Sequence, residues 1–383
     1  MSAGDPSGDR LGAALLHALR ARGARFDAAG LGGPALRAAG LDAHVPMESV
    51  AIMGFADIVR HLPAIRRARS ALVRLLRETR EALFLPIDSP GMNLGLARAA
   101  HRIGRPVIYY VCPQIWAWGY GRVRRLREDV DLTLCLFRFE EEILTRERIR
   151  HRWVGHPAGG LSPDPSSRES ARAAIGLDPG ETLLAILPGS RRAEARRHLA
   201  PMLEAASLLR ASTRGKLRVA VSDAAMPRLD GHALKLWRGL EPIHHRGDAE
   251  ALLRAADLAV VASGTATLET AALGVPMVIV YRTSGINYGI ARRLVRLRRI
   301  GLANIVAGGD IAPERIQAAA TGPSIAAALA PLLETPAERD RQRAGFASLG
   351  ERLGGSGSAE RAADAILAFV GERRAAPVSV AAR

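Results

Sequence analysis

The chain is almost without lysine. Its 54 basic residues include only Lys216 and Lys235, leaving 52 arginines against 38 acidic residues and a formal net charge of +16. So one-sided a choice points to codon bias as much as to a need for arginine. The charge still favours anionic partners such as a nucleotide or a phospholipid surface. Aromatic residues make up only 4% of the chain. That is too few for base-stacking platforms, and no nucleic-acid motif is present, so no nucleic-acid partner is expected. Cysteine is limited to Cys112 and Cys135, without a CxxC or Cys/His cluster. This fits a reducing compartment and provides no zinc spacing. HExxH and EF-hand patterns are lacking too, so neither a protein-held metal nor a cofactor is expected. No run approaches the roughly 18–20 apolar residues of a membrane span. No secretory-signal pattern is visible.

What is present is a repeating pattern of short apolar runs, small-residue turns and helical periodicity. At 383 residues the chain is long enough for two domains, at about 100–200 residues each. Its centre of interest is Ala262–Thr270, reading ASGTATLET, after the apolar Leu258–Val261 and before Pro276–Val280. This predicts strand, turn, helix, strand, with Ser263, Gly264 and Thr265 where the helix begins. Such a start exposes unpaired N–H groups and can hold a phosphate. Glu269 lies about one turn in, within reach of a ribose hydroxyl. The alternative is plain capping of a structural helix by Ser or Thr.

In the N-terminal half, Gly4–Gly8 forms a turn-rich loop before a helix from Arg10 to Arg20. Such a loop follows a buried strand, and almost nothing precedes it. The N-terminal domain is therefore expected to lack its first strand, with a start upstream of Met1. Val50–Arg77 is apolar at helical spacing and carries Arg60, Arg66, Arg67, Arg69 and Arg74. This basic amphipathic face suits acidic headgroups and acyl chains, or else packs on the core. Ala82–Ile87 reads as a buried strand, although Pro86 is unusual in a central one. Asp88 falls at its carboxyl end, where open α/β sheets place ligands. A loop with Trp116 and Trp118 follows the next strand and is expected to wall a cleft. Residues 158–170, rich in Gly, Pro and Ser, read as a linker. Beyond it the pattern restarts with a strand at Thr182–Leu187, a Pro188–Arg191 turn and a helix from Ala193 to Leu209. A second basic helix is expected at Asn287–Arg299. Strands alternating with helices on both sides of the linker predict two facing parallel-sheet domains.

Several segments, in chain order, resemble motifs of the lipid-A-disaccharide synthase family. They are Ala3–Asp9 (AGDPSGD), Ile87–Asn93 (IDSPGMN), Pro113–Trp118 (PQIWAW), Gly155–Pro157 (GHP), Leu187–Glu194 (LPGSRRAE), Ala262–Glu269 (ASGTATLE) and Asn304. The chain departs from the family pattern at Asp5 (Glu), Pro86 (Gly), Gly91 (Asp) and Ala303 (Pro).

The resemblance implies an α/β fold of two Rossmann-like doubly wound domains, the GT-B type. Residues 1–157 would bind acceptor and lipid, and 158–335 the UDP-sugar. Residues 336–383 would return as helices to the N-terminal domain and end in a disordered tail. It implies an inverting transfer joining UDP-2,3-diacylglucosamine to 2,3-diacylglucosamine 1-phosphate, on the cytoplasmic face of the inner membrane, bound peripherally to its phospholipid. Asp88 would be the base, with an Asx-type turn residue as the alternative. Asp5, Ser7, Asp9, Asn93 and Trp116 would meet the acceptor. Gly189, Ser190, Arg191, Glu194, Ser263, Gly264, Thr265, Glu269 and Asn304 would hold UDP, without a metal. A homodimer is left open. The rival readings are a same-fold transferase with another lipid acceptor, and a catalytically silent paralogue that binds nucleotide or lipid.

Overall fold

The computed structural model describes residues 1–49, 55–79, 81–117, 119–213, 216–223, 226, 229–284 and 299–375, and for 55–62 the backbone alone. Trp118, the basic segment at 287–298 and the expected tail at 376–383 lie outside the described residues. The chain divides into two units, Met1–Pro157 with the segment from Gly357, and Ala158–Ser356.

In the first unit the strands are β1 (Ser2–Ala3), β2 (Ala28–Gly32), β3 (Leu41–Pro46), β4 (Pro86–Ile87), β5 (Ile108–Tyr110), β6 (Leu132–Cys135) and β7 (His151–Trp153). All are parallel, in the order β3-β2-β1-β4-β5-β6-β7. Inner strands β5 and β6 are buried at every residue. Edge strand β3 alternates buried Leu41 and Val45 with exposed Asp42 and His44. Helices on both sheet faces require this contrast. The helices are α1 (Pro6–Ala21), α2 (Pro34–Ala38), α3 (Phe55–Glu78), α4 (Pro90–Arg102), α5 (Val123–Asp129) and α6 (Arg138–Arg146).

The structure answers three expectations, and it overturns the first. The strand expected to be missing is present as the two-residue β1, with Ser2 in register with Leu31 on one side and Pro86 on the other. Pro86 does lie in a central strand. Phe84 and Asp88 donate N–H bonds of 2.9 Å to the carbonyls of Pro106 and Tyr110 on the neighbouring segment. The rung between them is the one proline cannot make, and β4 pairs with β5 only at Ile87 and Tyr110. On α3, Ala68, Leu72 and Leu76 are buried against Leu96, Ala97 and Ala100 of α4, while Arg66, Arg67, Arg69 and Arg74 are exposed. The apolar stripe of this part of α3 thus serves the core, and its arginines face solvent.

The second unit has β8 (Thr182–Leu187), β9 (Leu217–Ser222), β10 (Ile243–His245), β11 (Leu258–Ala262), β12 (Met277–Tyr281) and β13 (Glu314–Ile316). They form a parallel sheet in the order β10-β9-β8-β11-β12-β13. Its helices include α7 (Pro165–Ala174), α8 (Arg192–Ser212), α9 (Gly231–Leu240), α10 (Ala249–Ala255) and α11 (Thr265–Ala272). The stretch read as a linker holds the start of α7. Asp164 accepts from the N–H groups of Ser166 and Ser167, both at 3.2 Å, and Pro165 opens the helix. Asp257 then binds Arg168 at 2.6 Å and Arg172 at 3.1 Å, holding α7 to the unit. Helices Pro336–Phe346 and Leu349–Arg352, expected on the first unit, stay with the second. The reason is Gln342, buried and bonded through both side-chain ends to the backbone of Met277. The return comes with helix Ser358–Ala375, which packs on α1 and pairs Asp364 with Arg22. No helix among the described residues is long and apolar enough to cross a membrane.

One buried side chain joins the middle of the first sheet. Asn93 is fully buried on α4. Its Nδ2 lies 3.1 Å from the carbonyl oxygens of Ser2 and Ile87 and 2.8 Å from that of Asp88, and its Oδ1 accepts from Ser2 Oγ at 2.6 Å. Leaving such buried groups unpaired costs roughly 1–3 kcal/mol each. Asn93→Leu is therefore expected to lower unfolding free energy by about 3 kcal/mol, read as a lower urea midpoint. An unchanged midpoint would show that Asn93 does not hold β1 to β4.

Candidate functional site

In both sheets the strand order reverses once, between β1 and β4 and between β8 and β11. At such a reversal neighbouring connections leave in opposite directions, opening a crevice at the strands' carboxyl ends. In the first unit the loops at that point hold Gly4–Asp5 and Asp88–Pro90. In the second they hold Pro188–Arg191 and Ser263–Gly264. The topology thus collects four of the sequence-predicted segments, two at each reversal.

At the first reversal, Asp5 caps α1 with Oδ1 on the Gly8 N–H at 2.9 Å, and its Oδ2 accepts from Ser89 Oγ at 3.0 Å. The two loops are thereby tied across the switch point. Ser7 is half-buried in the first turn of α1. Asp88 and Ser89 both adopt left-handed backbone, with φ of 46° and 45°. Such residues cost on the order of 1–3 kcal/mol each and persist only where their surroundings force them. Here the carbonyl of Asp88 accepts from Tyr109 Oη at 2.7 Å and from Asn93 Nδ2 at 2.8 Å. The half-buried Asp88 carboxylate acts electrostatically on Tyr109, Arg122 and Glu140. Burial first, and then this charge, pushes the Tyr109 phenol well above its usual range, so it remains a hydrogen-bond donor.

Two residues predicted to meet the acceptor turn inward. Asp9 is 3% exposed, and its carboxylate takes the N–H groups of Gly33, Ala35 and Leu36 at 2.7, 2.9 and 3.2 Å. It holds the start of α2. Asn93 is the buried clasp already described. Trp116 stays near the surface and donates Nε1–H to Glu140 Oε1 at 3.0 Å, with its ring edge-on to Phe139 at 5.2 Å.

Glu140 was not singled out in the sequence. It is 2% exposed at the head of α6, where Oε2 takes the N–H groups of Leu136 and Phe137 at 3.2 and 3.1 Å. Burial raises its carboxyl to about 7, against the pull of these donors. Arg122, half-buried and likewise not singled out in the sequence, lies within electrostatic reach of Asp88. His156, of the GHP segment, stacks on Phe137 at 5.7 Å, and burial lowers it to about 4.

At the second reversal the polar groups belong to the backbone. Helices α7, α9 and α10 are each capped by an aspartate, but no side chain caps α8 or α11. These are the two helices that follow β8 and β11. The N-cap of α11 is Gly264, and the neighbouring Ser263 hydroxyl donates to Ile300 O at 2.8 Å. Gly189 has φ of +112° and Gly264 of +154°, conformations that L side chains rarely adopt. Ser190 is exposed, and Thr265 and Glu269 are half-buried on α11. Half-exposed Arg191 pairs with Glu194 at 3.0 Å.

Asn304 is placed differently from expectation. It is fully buried in helix Leu302–Ala307, bonding Ala312 through both N–H and C=O at 2.8 and 3.0 Å and Glu314 at 2.8 Å. Glu314 in turn accepts from the N–H groups of Ile300 and Gly301 at 3.0 and 2.9 Å. Asn304 therefore supports the loop at the end of β11 from behind.

The Glu140 shift has a sign that can be read in stability. Its native value of about 7 stands above the ordinary 4.5, so between them the native state keeps a proton that the unfolded chain releases. This contribution is complete below about pH 4.5 and is lost as pH rises through 7. Glu140→Gln cannot ionise, so its stability relative to the parent is expected to improve steadily across that window. The opposite slope of His156 is common to both proteins and cancels. Urea midpoints measured across the window test this, and a constant difference would show that Glu140 does not titrate there.

The family model for lipid-A-disaccharide synthetase matches residues 1–366. The lipid-A-disaccharide synthase of Geobacter metallireducens is 36% identical over 372 residues, covering 97% of each chain. That of Azotobacter vinelandii is 40% identical over 341 residues, covering 88% of this chain and 90% of its own. Among solved structures, the calicheamicin glycosyltransferase CalG4 matches with a TM-score of 0.57 at 18% identity, over 96% of both chains. That likeness is one of fold, the paired Rossmann-like domains of GT-B glycosyltransferases. With a family match spanning both units, this chain belongs to the lipid-A-disaccharide synthase family.

Proposed function

We propose that this protein transfers the 2,3-diacylglucosaminyl group from UDP to the 6-hydroxyl of 2,3-diacylglucosamine 1-phosphate. The products are the β-1,6-linked disaccharide 1-phosphate and UDP. The observation that carries the donor side is the pair of helices α8 and α11, which start beside each other at the β8/β11 reversal without side-chain caps. Their first-turn N–H groups and the positive ends of their dipoles suit a diphosphate. Gly189 and Gly264 keep side chains away from it, and Ser190, Ser263 and Thr265 border it. Arg191, steadied by Glu194, adds a permanently charged fork. Glu269 binds the ribose, and Asn304 acts through the buried bonds that shape the loop.

In the first unit, Asp88 takes the proton of the acceptor hydroxyl as its oxygen forms the bond to the anomeric carbon. The bond to UDP breaks, and its electrons leave on the diphosphate. The strained turn aims the carboxylate, while Tyr109 and Asn93 hold the Asp88 backbone. Asp5, Ser7 and Trp116 line the acceptor side, with Asp9 as support. The exposed arginines of α3 provide a surface for anionic lipid headgroups.

Two substitutions test the two sides separately. Asparagine tolerates the left-handed backbone, so Asp88→Asn should keep the turn and UDP affinity while lowering turnover by roughly 10²–10³-fold. Parent-like turnover, read as UDP release with both diacyl sugars supplied, would sink the base assignment. Arg191→Ala should weaken UDP about tenfold by calorimetry, the loss expected of one charge-assisted bond at a half-exposed site. Equal affinity would remove Arg191 from the diphosphate site.

A further inference from the structure

His198 stands outside every motif and every role described above. It lies on α8 with 1% of its surface exposed. Its Nδ1 is 2.9 Å from the carbonyl oxygen of Pro188, which opens the turn after β8. Its Nε2 is 2.8 Å from the backbone nitrogen of Arg282, the residue after β12. The Arg282 N–H can only donate. Nε2 must therefore accept, and the single ring proton sits on Nδ1, where it donates to Pro188.

The strands so joined are not neighbours. The sheet runs β8-β11-β12, so the ring connects the carboxyl ends of the two strands that flank β11. The end of β11 carries Ser263 and Gly264, and Ser263 N–H is itself bonded to Val280 of β12 at 2.9 Å. One neutral imidazole thus fixes the Pro188–Arg191 turn relative to the strand on the far side of the second loop.

We propose that His198 is a positioning residue for the donor diphosphate, clamping the turn after β8 in its binding geometry only while the imidazole is neutral. This rests on the reading of α8 and α11 as the diphosphate site. An imidazolium has two N–H groups and no acceptor, so protonation would set one donor against another at Arg282 and release the clamp. The groups facing the ring come from three directions. On α8, Glu194 favours its charge and Arg197 opposes it. From β12 comes Tyr281, with ring centroids 6.1 Å apart, and from the turn after β8 the Pro188 carbonyl. Burial is the largest influence and lowers the pKa, which keeps the ring neutral at neutral pH.

The test is calorimetric titration of the full chain with UDP from about pH 8 to pH 5, a range that spans the ordinary histidine value. His198→Gln retains a carbonyl to accept from Arg282 and cannot become charged. At pH 8 it should bind UDP within about threefold of the parent, whereas His198→Leu should bind about tenfold more weakly. On acidification the parent should lose affinity more steeply than His198→Gln. The two share any change due to the phosphate's own titration near about pH 6, so their ratio reports the ring alone. Identical pH profiles for parent and His198→Gln would overturn the proposal, as would parent-like UDP affinity in His198→Leu. Should the leucine variant not fold, the parent and glutamine profiles still decide. No UDP binding by the parent at any pH is a separate failure, which removes the diphosphate site itself.

Discussion

Two helix starts left without side-chain caps, side by side at the strand reversal, govern the reading of the second unit as the donor half. Parallel strands can be joined only by crossovers, and where the strand order reverses two crossovers depart from adjacent strand ends. Between β8 and β11 this sets the first turns of α8 and α11 at one edge of the sheet. Elsewhere in the unit aspartates satisfy the helix starts of α7, α9 and α10, while the helices Leu302–Ala307, Pro336–Phe346 and Leu349–Arg352 also lack a side-chain cap but stand away from the reversal in the strand order. Omitting that cap forgoes about 1 kcal/mol per helix, a cost that an anionic ligand can offset. Around these amides the remaining polar groups are arranged as backing. Ser263 turns to Ile300, Asn304 to Ala312 and Glu314, and His198 to Pro188 and Arg282.

The same backing explains why motif residues of one chemical type have different tasks. Asp5 and Asp9 are four residues apart, yet Asp5 holds a surface loop while Asp9 is buried under three amides of α2. Asn93 and Asn304 look like ligands in sequence and are instead fully buried clasps. A buried amide with all its groups paired cannot turn to a ligand without leaving carbonyls unsatisfied, at roughly 1–3 kcal/mol each. Such residues shape the site without entering it.

Much of the architecture was legible because buried parallel strands are continuous apolar runs. Thr182–Leu187 was located to the residue, and both domains followed from alternation. The first strand was not, since two residues carry no periodicity and only pairing with β2 and β4 defines them. Helix α7 was masked by its own capping sequence. Asp-Pro-Ser-Ser reads as linker by composition, although Asp as cap and Pro in first position are also start signals. Glu140 and His198 were illegible for a deeper reason. A glutamate and a histidine on helices look like surface residues, and only tertiary burial gives them their bonds and shifted acidities.

The two half-sites also differ in how they resist pH, and the difference suits the tasks proposed for them. A diphosphate needs positive potential at every working pH. Amides and an arginine supply it because neither titrates. His198, the titratable group that backs the turn after β8, is buried in the direction that keeps it neutral. Proton abstraction has the opposite need, a group whose charge can change. The first unit accordingly holds its carboxylate on strained backbone among Tyr109, Arg122 and Glu140, where burial and charge move each acidity. A change of charge at Glu140 is felt at Asp88, since the two carboxylates repel. Acid–base sensitivity of the reaction should therefore originate in the first unit near neutral pH, and in the second only in acid, when the His198 clamp takes up a proton.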